Sequence, residues 1–233
     1  MAADGDELKR RIQELKDSPG YKIHAEMNDA KASLRAVSKN KEELASAIEA
    51  LKRQFVGIPS VDLQSGTAEH ALEDVARRME SFLWSASGLL DYTRRHNQAR
   101  YGRNELGREV QSEFDRKFVY APDHRLSQVL RNVSNHVEVL QPAQRPKMDS
   151  PYAIPVGQLL AWDELRDDQK KLLESMPGEF DVEGFVERYY KTLEDFFGWL
   201  WKKQTEAHAA ELGHADELRV SAKELYDRVF PPA

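Results

Sequence analysis

Apolar residues recur about every 3.6 residues through almost the whole chain, and this periodicity restricts the fold more than any other feature of the sequence. No window alternates apolar and polar residues for long enough to predict more than a short strand. The sequence therefore predicts an all-α protein. The segments predicted as helices are 7–17, 21–55, 67–96, 105–119, 123–140 (with Asp123 as its N-cap), 157–175, a long helix that starts at Asp181, and, beyond Gly213, a last helix over 216–229.

A proline-rich stretch is the best candidate for a break in this helical pattern. Residues 141–155 contain four prolines, which exclude a continuous helix there. We expect N-terminal helices over 1–66, a helical core over 67–204 that contains the connection at 141–155, and a C-terminal helix over 205–233. Together these segments are expected to form one compact domain with additional C-terminal helices.

Composition excludes several classes of function. The chain has no cysteine, which rules out disulfides, thiolate metal sites and cysteine nucleophiles. Its N-terminus has no secretory signal pattern, and no apolar run approaches the roughly 18 residues of a membrane span. We therefore expect a cytoplasmic protein without a membrane partner. His208, His214 and Glu211 match no common zinc spacing, and no phosphate-binding glycine loop is present, so no metal and no cofactor are expected.

Charge is distributed unevenly along the chain. The net charge of −6 argues against a protein that coats nucleic acid indiscriminately. Residues 94–131, however, carry nine Lys and Arg against five Asp and Glu. Such a local excess is typical of a segment that contacts phosphates. The alternative is a solvated helix face, which is common for a run of arginines.

The segment 131–136 contains the residue types that RNA cleavage requires. Arg131 is followed directly by Asn132, and His136 comes after four intervening residues. Asn132 and His136 are four residues apart, so their side chains are neighbours on a helix. A histidine suits acid–base catalysis near neutral pH, an arginine suits the charged oxygens of phosphorus, and an asparagine can orient either group. The alternative is that His136 and Asn132 only hydrogen-bond in a helix interface while Arg131 is a surface charge.

Other basic residues are candidates for substrate contacts. His124 and Arg125 lie just before the motif, although residues at a helix N-terminus are mostly caps and solvent-exposed charges. Arg94, Arg95 and Arg100 are candidates for lining an RNA groove, in which Tyr92 and Tyr101 could stack bases. A basic helix end that complements the helix dipole explains the same three arginines equally well.

The hexapeptide and the later sequence resemble the HEPN superfamily. Residues 130–136 are similar to its Arg-Asn-x3-His motif, and 159–162, 181–183, 189–190 and 197–200 resemble a clostridial-type HEPN-like branch, so that the resemblance covers roughly residues 67–204. The resemblance implies a helical bundle, often homodimeric, in which Arg131, Asn132 and His136 form a metal-independent ribonuclease site. Expected products are a 2′,3′-cyclic phosphate and a 5′-hydroxyl. It also implies a role as a toxin or in phage defence, with an antitoxin or another regulatory protein as a partner.

One position departs from the toxin members of that superfamily. They commonly have a tyrosine two residues after the histidine, where this chain has Glu138. A carboxylate there either repels RNA or holds the protonated imidazole. Many members are inactive and serve as RNA-binding or assembly modules. Two hypotheses follow. The first is a metal-independent endoribonuclease. The second is a non-catalytic helical RNA-binding or protein-interaction module that uses the aromatic helix starting at Asp181, towards the C-terminus, or the helix at 21–55.

Overall fold

A computed structural model describes residues 2–55, 66–133 and 151–231, and within these ranges the chain is all-α, as the periodicity predicts. Two short strands pair antiparallel, with Ile154 opposite Phe180. No helix in the described ranges is long and apolar enough to cross a membrane. In chain order, the elements are α1 (Ala2–Asp17), α2 (Pro19–Phe55), α3 (Gly66–Tyr101), α4 (Glu105–Phe114), a π-helical turn (Asp115–Val119), α5 (Pro122–Val133), β1 (Ala153–Pro155), α6 (Val156–Leu160), α7 (Asp167–Glu174), β2 (Glu179–Asp181), α8 (Val182–Ala207) and α9 (Ala209–Val229).

The helices α8 and α5 start for different reasons. α8 begins where Asp181 predicts, because the Oδ1 atom of this residue accepts a hydrogen bond from the Gly184 backbone N–H at 2.9 Å. The prediction of Asp123 as the N-cap of α5 is wrong. The helix starts one residue earlier, at Pro122, whose missing N–H costs nothing in the first turn. Asp123 instead lies inside that turn and pairs with Arg188 at 3.6 Å.

Two other boundary predictions are wrong for local reasons. The helix predicted over 157–175 is interrupted between α6 and α7, because the Arg166 backbone N–H donates to Gln169 Oε1 at 3.0 Å and starts a new helix. Gly213 does not separate the last two helices. α9 runs through it, and the break lies at His208. A glycine inside a helix costs only about 1 kcal/mol, which the packing of α9 against α1 offsets.

The residues group into two units, one of residues 1–32 and 197–233 and the other of residues 33–196. In the first unit α1 packs along α9. A small apolar cluster there consists of Ile23, Met27 and Leu212, with Trp201 against it. The predicted boundaries at residues 66 and 204, and the single compact domain, stay predictions.

The second unit has a core rich in aromatic side chains. Phe118 is fully buried, with its ring centroid 5.1 Å from that of Phe196, which it meets edge-on, and 5.2 Å from that of Phe114, to which it is tilted. Such aromatic contacts add to the stabilisation from buried apolar area. The largest fully buried side chains of this unit include Phe82, Phe118, Phe185, Tyr189 and Phe196.

A buried ion pair links three elements of the second unit. Lys52 of α2 is only 3% exposed, and its Nζ lies 2.7 Å from Glu183 Oε2 at the start of α8. The same carboxylate accepts a hydrogen bond from the Tyr152 backbone N–H at 2.5 Å, just before β1. Burial alone would lower the pKa of Lys52, but hydrogen bonds to Glu183 and Glu49 outweigh it and raise that pKa. The lysine is therefore a buried cation that depends on its partners.

We expect Glu183→Gln to lower the free energy of unfolding by about 2 kcal/mol, because it leaves Lys52 without its main counter-charge. Glutamine preserves the side-chain shape and an acceptor for the Tyr152 N–H, so the variant tests the charge. The control is Glu187→Gln, one turn later on α8, whose carboxylate is 64% exposed and pairs with Lys41. Its expected loss is about 1 kcal/mol or less. Urea unfolding followed by circular dichroism measures both, and equal losses would contradict the role of the buried pair.

Close helix packing in the first unit requires a glycine at position 20. A Cβ there would overlap the Glu211 backbone carbonyl and lie 2.8 Å from the Ala215 Cβ. We expect Gly20→Ala to destabilise the protein by about 1–3 kcal/mol, since neither backbone yields easily. In Gly213→Ala the added Cβ meets no described atom within 4 Å, so this variant should instead stabilise α9 by about 1 kcal/mol. Thermal unfolding of both variants checks the opposite signs, and a tolerated alanine at position 20 would refute the close approach.

Candidate functional site

The last turn of α5 carries the first two residues of the RNA-cleavage motif. Arg131 is part-buried, and Asn132 is exposed. His136 and Glu138 lie outside the described residues, so the prediction of His136 as a catalytic group stays a prediction. The structure therefore describes Arg131 and Asn132 of the predicted site, on a helix whose apolar side is buried in the second unit.

Two residues of α3 fix the Arg131 guanidinium. Its Nη1 donates a hydrogen bond to Ser87 Oγ at 2.7 Å, and its central carbon lies 4.8 Å from the Trp84 ring centroid. Trp84 remains 54% exposed in this arrangement. A guanidinium packed on an indole face and hydrogen-bonded to a serine hydroxyl has lost most of its rotational freedom. The cation is thus held in one orientation near the surface.

His124 lies two turns before Arg131 on the same side of α5. Its Nδ1 is 2.9 Å from the Tyr189 hydroxyl, and its ring meets the edge of Phe118 at 5.8 Å between centroids. Ser127 Oγ donates to the His124 backbone carbonyl at 2.6 Å and lies 3.3 Å from the same Tyr189 hydroxyl. The imidazole therefore belongs to a polar junction between α5 and α8, surrounded by aromatic rings.

The electrostatics of this junction keep its titratable groups neutral. Burial lowers the pKa of His124, and the nearby charge of Arg131 lowers it further, against an opposing effect of Asp91. Burial also raises the pKa of Tyr189 to about 12, although the hydrogen bond from Ser127 and the charge of Arg131 act in the other direction. At neutral pH the junction carries no charge of its own, and Arg131 supplies the positive charge of the site.

Of the residues predicted to bind substrate, Arg94 and Arg95 lie on the exposed side of α3. Arg94 is 3.8 Å from the Asp91 carboxylate, and Arg95 Nε donates to the Asp91 backbone carbonyl at 3.2 Å. Arg100 is part-buried in the last turn of the same helix. The negative charge of Asp91 therefore offsets part of the positive charge predicted for these arginines.

Arg125 has a different environment from Arg131. Its Nη2 donates to the Asp168 backbone carbonyl at 2.9 Å and lies 3.6 Å from the Asp168 carboxylate, which ties α5 to α7. The structure thus places His124 and Arg131 two turns apart on the same side of α5, places Arg94 and Arg95 on α3, and directs Arg125 towards α7. The roles of Arg94, Arg95, Arg100, His124 and Arg125 in binding substrate stay predictions.

Three residues of the site escaped the sequence analysis. Trp84 falls outside the apolar stripe of α3, and a tryptophan on a polar helix face is a signal that could have been used. Tyr189 falls within the apolar stripe of α8, where it is indistinguishable from core. Ser87 carries no signal, since its role depends on where α5 packs.

We expect stability to fall as the pH drops below about 6.5, because the unfolded chain binds a proton at His124 that the folded chain resists. His124→Gln should therefore reduce the loss in free energy of unfolding between about pH 7.5 and about pH 5.5. His70→Gln is the control, since the His70 side chain is 81% exposed. Urea unfolding at the two pH values makes the comparison. An unchanged loss in His124→Gln would show that the buried imidazole is not the group responsible.

Comparison with known proteins adds no family to this geometry. No protein-family model, no curated protein and no solved structure matches the chain. Membership of the HEPN superfamily therefore stays a prediction from residues 130–136 and the later motif. The chemistry of the site rests on its own residues.

Proposed function

We propose that the protein binds RNA at the face formed by α3 and α5 and cleaves it as a metal-independent endoribonuclease of HEPN type. The observation that supports this most is the fixed guanidinium of Arg131. It is held by Ser87 and Trp84 near the surface, directly beside the exposed Asn132. A permanently charged, oriented fork is the group that a negatively charged phosphorane requires.

The proposed reaction uses the 2′-hydroxyl of the RNA itself. The 2′-oxygen attacks the adjacent phosphorus, its proton passes to a base, and the bond from phosphorus to the 5′-oxygen breaks as that oxygen gains a proton from an acid. The products are a 2′,3′-cyclic phosphate and a 5′-hydroxyl. Arg131 stabilises the charged oxygens, His136 supplies acid–base catalysis, and Asn132 orients the imidazole or the phosphate.

His124 has a supporting role in this proposal. Its pKa is lowered by burial, and its Nδ1 bonds to Tyr189, so it is a poor proton donor at neutral pH. Its contribution is to hold α5 on α8 and thereby to position Arg131. One motif per chain offers a single acid–base histidine, and a homodimer would place two motifs in one cleft. We propose that the protein is a homodimer located in the cytoplasm. We also propose that it acts as a toxin or in phage defence, with an antitoxin or regulatory protein as a partner.

A second candidate is a non-catalytic module that binds RNA or another protein. One observation favours it: Arg131 and His124 both contribute to packing, the first against α3 and the second against α8. If the protein is such a module, Arg131 and His124 only maintain the shape of the binding surface. Substituting them would then reduce stability and binding without abolishing a chemical step.

The test is cleavage of a panel of single-stranded RNAs in EDTA. We expect wild type to produce cyclic-phosphate ends, and Arg131→Ala and His136→Ala to reduce the rate by about 100-fold or more, as for loss of an oxyanion partner or a general acid. Arg116→Ala is the matched arginine control, because Arg116 is 63% exposed and pairs with Glu113. Circular dichroism confirms that each variant folds.

Three outcomes distinguish the candidates. Loss of cleavage only in the two motif variants supports the endoribonuclease. Undiminished cleavage in folded His136→Ala refutes the assignment of its catalytic group. RNA binding without any cleavage by wild type leaves the non-catalytic module as the function.

A further inference from the structure

The exposed side of α3 carries two aromatic rings: Trp84, which holds Arg131 in the proposed site, and Tyr92, which has no role in the proposed reaction. Trp84 is 54% exposed and Tyr92 is 38% exposed. With successive side chains about 100° apart, both lie on one side of the helix, with Gly88 midway between them. A Cβ built at Gly88 meets no described atom within 4 Å, so the surface between the two rings is open.

Each ring has a flat, nitrogen-rich neighbour. The Arg131 guanidinium lies over Trp84 at 4.8 Å, and the His96 imidazole stacks on Tyr92 at 5.5 Å with an interplanar angle of 12°. Eight residues of helix separate the rings by about 12 Å along its axis. An extended strand of two to three nucleotides spans roughly that distance, since bases stacked in a strand are about 3.4 Å apart and an extended backbone is longer.

The charges around this face favour a nucleic acid over a protein surface. Arg131 and Arg95 flank the rings, and among the described residues the carboxylate between them is that of Asp91, which lies 3.8 Å from Arg94. The rings are separated by Gly88 and bordered by charged residues, so they form no continuous apolar patch of the kind that protein partners cover. Exposed rings next to arginines are the arrangement that stacks unpaired bases.

We propose that this face of α3 is a stacking platform for single-stranded RNA, with one base on Trp84 and a second on Tyr92. The inference rests on the proposed function and specifies its substrate class: unpaired rather than duplex RNA. In a duplex the base faces are already stacked on one another, and only grooves and backbone are accessible. The platform therefore selects single strands, while Arg131 contacts a phosphate of the strand next to the base on Trp84.

The experiment measures binding with a probe that resists cleavage. A fluorescent 2′-O-methyl RNA 12-mer, single-stranded or annealed to its complement, is titrated with full-length protein. We expect the single strand to bind about tenfold more tightly than the duplex, and Trp84→Ala and Tyr92→Ala each to weaken single-strand binding about tenfold. Trp84→Phe keeps a ring and should retain most of the affinity. Tyr120→Ala is the control, because Tyr120 is 76% exposed on another segment.

Tryptophan fluorescence gives an independent readout of stacking. A base on the Trp84 indole should quench its emission, and Trp84→Phe should remove most of that quenching although three tryptophans remain. A reduction in stability alone would not produce this selective loss. Sedimentation velocity on the same variants shows whether Trp84 instead contacts a second copy of the chain.

The outcomes separate this inference from the proposed function. Single-strand binding that depends on Trp84, without cleavage of natural RNA, supports the platform and refutes the endoribonuclease. Cleavage by wild type with equal affinity for single strand and duplex, or with Trp84→Ala unaffected, refutes the platform and leaves the enzyme. If wild type binds neither probe, the platform is overturned, while the cleavage assay on natural RNA still decides the endoribonuclease. A dimer that Trp84→Ala dissociates, without any change in RNA affinity, also overturns the platform.

Discussion

The position of α5 depends on a small polar junction inside an aromatic core. The Tyr189 hydroxyl lies within hydrogen-bonding distance of both His124 and Ser127, and these three buried or part-buried groups satisfy one another. A buried hydroxyl or imidazole without a partner costs about 1–3 kcal/mol, so a shift of α5 by one residue along α8 would be strongly disfavoured. Because Arg131 lies two turns further along the same helix, the junction also determines where its guanidinium meets α3.

Long-range periodicity was sufficient to predict the helices, while their ends depended on details that periodicity does not contain. A glycine at position 213 looks like a helix end, yet the packing of α9 against α1 outweighs its low propensity. A glutamine at position 169 looks like an ordinary helix residue, yet its side chain accepts the Arg166 N–H and begins a new helix. Local pattern thus predicted the class of fold, and specific hydrogen bonds determined its boundaries.

Some residues of the candidate site could likewise be predicted from the sequence pattern, whereas others depend on contacts between helices. Arg131 and Asn132 were found from their spacing, and in α5 the first is part-buried and the second exposed. The contact of His124 with substrate stays a prediction, and its hydrogen bond to Tyr189 was not predicted, because a histidine in the first turn of a helix gives no indication that a tyrosine 65 residues later will bond to it. Trp84 and Ser87 matter only because α5 packs beside them. Residues brought together from different helices are beyond single-sequence reasoning.

The π-helical turn at Asp115–Val119 has a consequence for how this chain tolerates change in its length. A π turn contains one more residue than an α turn would, and here it delivers Phe118 into the core while leaving Tyr120 outside. Because the wider turn absorbs that extra residue, deleting one residue there would close it to ordinary helical geometry, and the residues before it would still face nearly the same way relative to those after it. Deleting a residue from a regular α-helical segment would instead rotate one part against the other by about 100°. The π-helical turn is therefore a place where the chain can lose a residue while Phe114 and Phe118 still face the same core.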